Sequence, residues 1–221
     1  MHKEDPFHPK IIKLLEEKSL VPEILKETLK QPLKGYRFSE DALLLANSIR
    51  PAPGENILEI GGGCGIIPLC IARQHPSVNI TTIEIQESLA ECAVYNVGLC
   101  KLEGQIQVIQ GDARVLCPTL PKHSFHRVIS NPPYRKVGDG KLNPEREKAV
   151  ARHEITLSMK EIVEWSRELL VPGGKINFIY PSNRNTEASK WLKVYGFDLT
   201  EMEEIRRERN PVRIYHARLI N

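Results

Sequence analysis

The sequence predicts an α/β fold: a doubly wound, mostly parallel sheet of seven strands that ends in an antiparallel hairpin. Three observations lead there. From residue 56 onward, short apolar runs rich in β-branched residues alternate with stretches of helical period. Parallel strands need such crossover helices, which then cover both faces of the sheet. The last two apolar runs have only a short polar connection containing Asn210-Pro211 between them, as an edge hairpin requires. Finally, 221 residues that are 41% hydrophobic and 27% charged suffice for one sizeable core.

Residues 1–34 read as an N-terminal helical extension. Ile11, Ile12, Leu14 and Leu15, then Ile24, Leu25 and Leu29, recur at helical spacing, broken by Val21-Pro22 and closed by Gln31-Pro32. Lysines and glutamates nearly cancel there, which suits a solvated face. Residues 35–221 form the main domain. Ser39 is placed to cap a short apolar helix through Ala42–Ala46. The strands expected next are Asn56–Ile60, Asn79–Ile85, Gln105–Gln110, Arg127–Ser130 and Lys175–Tyr180, the last after a turn at Pro172-Gly173-Gly174. Helices are expected over Ile66–Arg73, Glu87–Cys100, Thr156–Leu170 and Thr186–Tyr195, before two closing strands, Asp198–Ile205 and Val212–Ile220. No internal repeat interrupts this pattern.

Composition narrows the setting. The five cysteines, Cys64, Cys70, Cys92, Cys100 and Cys117, are odd in number and form no Cys-x-x-Cys pair, so buried free thiols in a reducing cytoplasm are expected. His123 and His126 near Cys117 lack a fourth ligand at suitable spacing and read as surface or packing residues, with no metal expected. The charged start carries no signal-type apolar block, and the longest apolar run, about Gly65 to Ala72, is far short of a membrane span.

The chemistry centres on Val128-Ile129-Ser130-Asn131-Pro132-Pro133-Tyr134, an apolar strand that runs into two prolines. Prolines donate no backbone hydrogen bond and hold φ near one value, so the strand must stop in a stiff turn. Asn131 Oδ1 and the Pro132 carbonyl are then two acceptors side by side, and Tyr134 offers a flat ring. A planar molecule bearing an NH2 group fits: the amine donates to both acceptors while its ring stacks on the tyrosine. An ordinary strand-ending turn is the plainer reading of this motif alone.

A second constellation lies upstream. Glu59-Ile60-Gly61-Gly62-Gly63-Cys64-Gly65 falls between the first strand and its helix, where open α/β sheets bind ligands. The glycines at 61, 63 and 65 allow close backbone approach. The dinucleotide spacing Gly-x-Gly-x-x-Gly fails, because position 66 is Ile and position 68 is Pro. Glu59 would repel a pyrophosphate and favour an amine-bearing ligand. Glu84, ending the second strand, can accept from both hydroxyls of a ribose, and Asp112, just past the third, from an adenine amine. Each acid alone is commonly a strand-end or cap carboxylate. Together, with Asn131, they describe S-adenosylmethionine: methionine at the glycines, ribose at Glu84, adenine at Asp112.

On these residues the chain resembles the Rossmann-like, class I S-adenosylmethionine-dependent amino-methyltransferases, from about Gly35 to the C-terminus. Gly35-Tyr36-Arg37-Phe38-Ser39-x-Asp41, Asn131-Pro132-Pro133-Tyr134 and Ala151-Arg152-His153-Glu154 look like the bacterial tRNA(Val) adenine-N6 methyltransferases. The resemblance implies methylation of adenine N6 in tRNA, leaving S-adenosylhomocysteine. Asn131, Pro132, Pro133 and Tyr134 would be catalytic, and Glu59, Gly61, Gly63, Gly65, Glu84, Asp112 and Asn131 would hold the cofactor.

The net charge of +3 permits a nucleic-acid partner without demanding one. Residues 135–152 hold six basic side chains against three acidic ones. Arg135, Lys136 and Arg152 there are candidates for gripping phosphates, the alternative being a solvated charged loop. Arg206, Arg207, Arg209 and Arg213, at the terminal hairpin, could extend a basic surface. Three other readings stay open: a glutamine N5-methyltransferase of release factors, a guanine-N2 methyltransferase of ribosomal RNA, and a cofactor-binding scaffold subunit without chemistry. The first shares the amide-NH2 logic of the Asn-Pro-Pro-Tyr turn, but its family has a longer helical N-terminal domain than 34 residues allow. The sequence leaves the oligomeric state undetermined.

Overall fold

A computed structural model describes residues 29–32, 39–132, 157–205 and 211–220. The predicted extension up to residue 28 lies outside these residues. So do Gly35-Tyr36-Arg37-Phe38, Pro133, Tyr134, Arg135, Lys136, Arg152, His153, Glu154, Arg206, Arg207 and Arg209.

Seven strands form one sheet in the order β3-β2-β1-β4-β5-β7-β6. They are β1 (Asn56–Ile60), β2 (Asn79–Glu84), β3 (Ile106–Gln110), β4 (Phe125–Ser130), β5 (Leu170–Pro181), β6 (Phe197–Ile205) and β7 (Val212–Leu219). The first five pair in parallel, and β7 pairs antiparallel with both β5 and β6. Helices α1 (Glu40–Ser48), α2 (Ile66–Gln74), α3 (Glu87–Leu99), α4 (Ala113–Leu116), α5 (Met159–Leu169) and α6 (Asn185–Val194) occupy the connections. This is the predicted class I methyltransferase architecture.

Strand alternation sorts the core into two layers. Ile57, Ile80, Ile129, Ile179 and Ile214 point into the layer built by α1, α2 and part of α3. Leu58, Ile60, Val128, Phe178 and Tyr215 point into the layer under α5 and α6. Successive side chains of a strand must take opposite faces, so strands covered on both sides are apolar throughout. Glu59 and Thr82 fall on the first face, among those isoleucines. Burying an aliphatic side chain contributes about 1.5–3 kcal/mol, so these paired rows supply much of the cohesion.

Two expectations are corrected. Pro172-Gly173-Gly174 is not a turn before β5 but a bulge inside it. Phe125 pairs with Leu170 and Arg127 with Lys175, so four residues of β5 loop out opposite one of β4. Gly173 takes a φ of +73° there, which a side chain would strain. The helix expected from Thr156 starts at Met159, because Ser158 and Glu161 form a reciprocal capping box that sets its first turn. The short α4 went unforeseen: at four residues it shows no periodicity to read.

At the opposite end of the sheet, Arg127 is only 2% exposed. Its guanidinium donates to Glu55 at 2.9 Å and to Asn177 Oδ1 at 2.7 Å, and Asn177 Nδ2 contacts His216 Nδ1 at 2.5 Å. His126 Nδ1 accepts the backbone N–H of Asn56, and His123 Nδ1 lies 2.9 Å from the Leu170 carbonyl, so both histidines serve the fold. All five cysteines are buried free thiols, as expected, and burial pushes those of Cys70 and Cys117 up to about 12. The outer strand β6 is exposed along most of its length and carries Asp198, Glu201, Glu203 and Glu204, charges that discourage edge pairing. Arg213 faces Glu204 across the hairpin at 3.1 Å, which largely neutralises it as an element of a basic surface.

Candidate active site

Strand order reverses between β1 and β4: the chain builds outward from β1 through β2 to β3, then returns to β4 on the other side. The connections after these two strands therefore leave in opposite directions and open a crevice at their carboxyl ends. Both predicted constellations sit at this crevice. Glu59 pairs in register with Ile129, and the Ser130 hydroxyl donates to the Ile60 carbonyl at 2.8 Å, which locks the two strand ends together. Beyond this lock, Glu59, Gly61, Gly62, Gly63 and Asn131 line one small cleft, with Ala42 of α1 at its wall. Asn131 is half-buried and Pro132 is buried.

The glycine loop is wound by backbone geometry that side chains disfavour. Gly61 and Gly65 have φ of +84° and +82°, the latter as the N-cap of α2. Gly62 has a different reason to lack a side chain: a Cβ there would lie 1.9 Å from Thr82 Oγ1. Two amides, those of Gly61 and Gly62, donate to the Ile83 carbonyl. Glu84, nearly buried, accepts from the amide of Gly63 at 2.7 Å and from that of Gln86 at 2.8 Å. The carboxylate read from sequence as a ribose contact thus also braces the glycine loop, and each of its oxygens retains a lone pair for a second donor. Burial raises its pKa, against the lowering effect of these amides.

Glu59 is 1% exposed, with Thr82 Oγ1 donating to its Oε2 at 2.5 Å and Oε1 without a partner among the described residues. Desolvation pushes its carboxyl up to about 8, with the neighbouring Glu84 adding in the same direction. Burial therefore favours the neutral acid over the standing anion that the bare sequence suggests. Among the described residues, this buried carboxyl oxygen at a glycine-lined cleft has no partner and is placed to meet a polar group.

Asp112 stands at the tip of β3, next to Glu84 through the pairing of Glu84 with Gln110, as expected. Its carboxylate is already engaged: it caps α4 through the Arg114 amide and receives the Arg114 guanidinium at 2.6 Å. This ion pair holds the Asp112 carboxyl below the usual carboxylate range. The pair is part-exposed, so it contributes at most about 1 kcal/mol and leaves room for a further donor. The residues that sequence reasoning missed are Gly62, Thr82 and Asn96. The first two act through a contact across strands 20 residues apart, which no local pattern displays. Asn96 did leave a signal, a lone carboxamide on the apolar face of α3.

Among the described residues, no group of histidine, cysteine and acidic side chains is arranged to hold a metal, and no helix is long and apolar enough to cross a membrane.

The family model described as methyltransferase small domain matches residues 37–204. The tRNA1(Val) (adenine(37)-N6)-methyltransferase of Porphyromonas gingivalis is 30% identical over 176 residues, spanning 77% of this chain and 68% of that one. The enzyme of the same name from Pedobacter heparinus is 30% identical over 178 residues, 80% of this chain and 74% of that one. Among solved structures, TrmN from Thermus thermophilus superposes with a TM-score of 0.61 at 19% identity, over 81% of this chain and 48% of that one. With a model matched across most of its length and relatives at this identity, the chain is a methyltransferase and belongs to the methyltransferase small domain family.

Proposed function

We propose that this methyltransferase uses S-adenosylmethionine to methylate an exocyclic amine, N6 of an adenine in a tRNA of the kind named for its relatives. The observation that carries the reading is the shared cleft. Asn131, the candidate amine acceptor, and Glu59 with Gly61–Gly63, the candidate donor cradle, line the same opening at the strand-order reversal.

The residues fit the donor. Glu59 Oε1 has no partner among the described residues and suits the amine of a methionine moiety, and Glu84 keeps acceptor capacity for ribose hydroxyls. Asp112, at the next strand tip, suits an adenine amine. When bound, S-adenosylmethionine supplies an electrophilic sulfonium methyl group. An aromatic amine is a weak nucleophile because its lone pair is delocalised. Asn131 Oδ1 and the Pro132 carbonyl would accept its two hydrogens, favour tetrahedral nitrogen and hold the lone pair toward the cleft. Tyr134 would stack on the base, which must be unstacked from its neighbours to enter. Catalysis would be mainly positioning, needing no strong base.

In the same reading the catalytic domain runs over 35–221, Arg135, Lys136 and Arg152 contact the RNA backbone, and the enzyme works in the cytoplasm. The family match from residue 37 supports the boundary, and five unpaired thiols support a reducing compartment. The test is incubation with methyl-labelled S-adenosylmethionine and separate tRNA, ribosomal RNA and protein fractions, followed by nucleoside and amino-acid analysis. Label in N6-methyladenosine from tRNA is expected. Label in N2-methylguanosine or N5-methylglutamine would overturn the substrate, and no transfer to any fraction would overturn the enzyme reading.

A further inference from the structure

Asn96 sits on α3, 1% exposed, on a face otherwise made of Leu89, Ala90, Cys92, Ala93 and Val97. A carboxamide in such surroundings must find partners, and this one finds three. Its Oδ1 accepts the backbone N–H of Lys30 at 2.7 Å. Its Nδ2 donates to the carbonyl of the same Lys30 at 2.9 Å and to that of Cys64 at 3.0 Å. The amide orientation is fixed by these contacts, since only the oxygen can face an N–H and only the nitrogen can face two carbonyls.

Cys64 lies between Gly63, whose amide is held by Glu84, and Gly65, the N-cap of α2. The glycine loop is thus pinned from two sides, by Glu84 from the tip of β2 and by Asn96 from α3. The packing is tight there: a Cβ on Gly65 would lie 3.2 Å from the Cβ of Ala93, three residues before Asn96. The far end of the Asn96 clasp is a strap, residues 29–32, anchored by the buried Leu29 and by Lys30 Nζ 5.2 Å above the Tyr95 ring. Neither the strap nor α3 touches the cleft directly.

We infer that Asn96 is a positioning residue that couples this strap to the glycine loop, so that donor affinity depends on how the segment at Lys30 is held. The inference rests on the reading that the loop binds S-adenosylmethionine. Coupling of this kind is reciprocal: if the clasped strap favours the bound loop, a ligand on the loop must favour the clasped strap.

Both directions can be measured on the full chain with S-adenosylhomocysteine, a stable probe. In the wild type, saturating probe should slow tryptic cleavage after Lys30 several-fold, followed by mass spectrometry. In Asn96→Asp, a carboxylate replaces the donor facing the carbonyls of Lys30 and Cys64. Probe affinity measured by calorimetry should fall about tenfold, within the usual span of such couplings, and the protection at Lys30 should disappear. Glu91→Gln, on the exposed side of the same helix, should match the wild type in both assays. A wild type that fails to bind the probe would overturn the donor reading itself. A wild type that binds it without protecting Lys30, or an Asn96→Asp variant whose affinity stays within twofold, would overturn the coupling alone. Should Asn96→Asp not fold, the wild-type protection experiment decides.

Discussion

The hydroxyl of Thr82 donates to one carboxyl oxygen of Glu59 at 2.5 Å, while the other oxygen of that buried group has no partner among the described residues. This half-satisfied acid keeps its proton up to about pH 8 when folded, against about 4.5 when exposed. Between those values the native state holds a proton that the unfolded chain has lost, so this group's effect is to lower stability as pH rises. Glu59→Gln is neutral throughout. Relative to the wild type, its unfolding free energy should rise from pH 5 to pH 8, on the order of 1 kcal/mol per pH unit. Urea unfolding of both proteins at four pH values reads this difference directly, with other titrating groups common to both. A constant difference would mean that Glu59 is ionised in the native protein at neutral pH.

Gly62→Ala tests the crowding beneath the loop. The new methyl would sit 1.9 Å from Thr82 Oγ1 and 3.1 Å from Glu59 Oε2, so one of these groups must move. Overpacking of this kind costs about 1–3 kcal/mol. Adding Thr82→Ala should recover part of the loss, giving a double variant more stable than the two single effects sum to. Strict additivity in thermal unfolding would show that the methyl is relieved elsewhere.

Replacing Asn131 with Ala removes the amine acceptor proposed above. Turnover should collapse by at least a hundredfold, roughly 3 kcal/mol of transition-state positioning, while affinity for S-adenosylhomocysteine stays within a few-fold. Single-turnover methyl transfer combined with calorimetry separates the two quantities. Transfer at near wild-type rate would remove Asn131 from the catalytic role proposed for it.

At the other end of the sheet, Arg127→Met should be the most damaging single change outside the cleft. It strands the carboxylate of Glu55 and the Oδ1 of Asn177, both paired through the buried guanidinium. Loss of one partner from a buried ion pair costs about 3–5 kcal/mol, a large share of a domain's stability. Chemical denaturation of the variant should show that loss with the cooperativity retained. A change under 1 kcal/mol would mean that the network reorganises around the methionine.

Much of this architecture is legible locally. β1 through β4, α2 and α3 stand within a residue or two of their expected ends, because apolar runs and helical periods are written in neighbouring residues. The error at β5 has a tertiary cause. Proline and two glycines at 172–174 look like a turn in isolation, yet pairing with β4 at Leu170 before them and at Lys175 after them makes them a bulge within one strand. Likewise Asn131 and the glycine loop could be nominated from their motifs, and their meeting in one cleft follows from the order of the strands.

By itself the sequence determined the alternation of strands and helices, the closing hairpin, the glycine loop and the proline-stiffened turn, since each depends on residue types at short spacing. Only the tertiary structure decided the state and the second duties of the site's acids and of Asn96. Glu59 is pushed toward the neutral acid because the core layer on its face excludes water from it, and Thr82 reaches it only across a strand pair. Glu84 and Asn96 become braces of the loop because folding brings the β2 tip and α3 within hydrogen-bonding distance of it. Protonation and hydrogen bonding depend on what surrounds a group in space, and those surroundings come from residues 20 to 70 positions away.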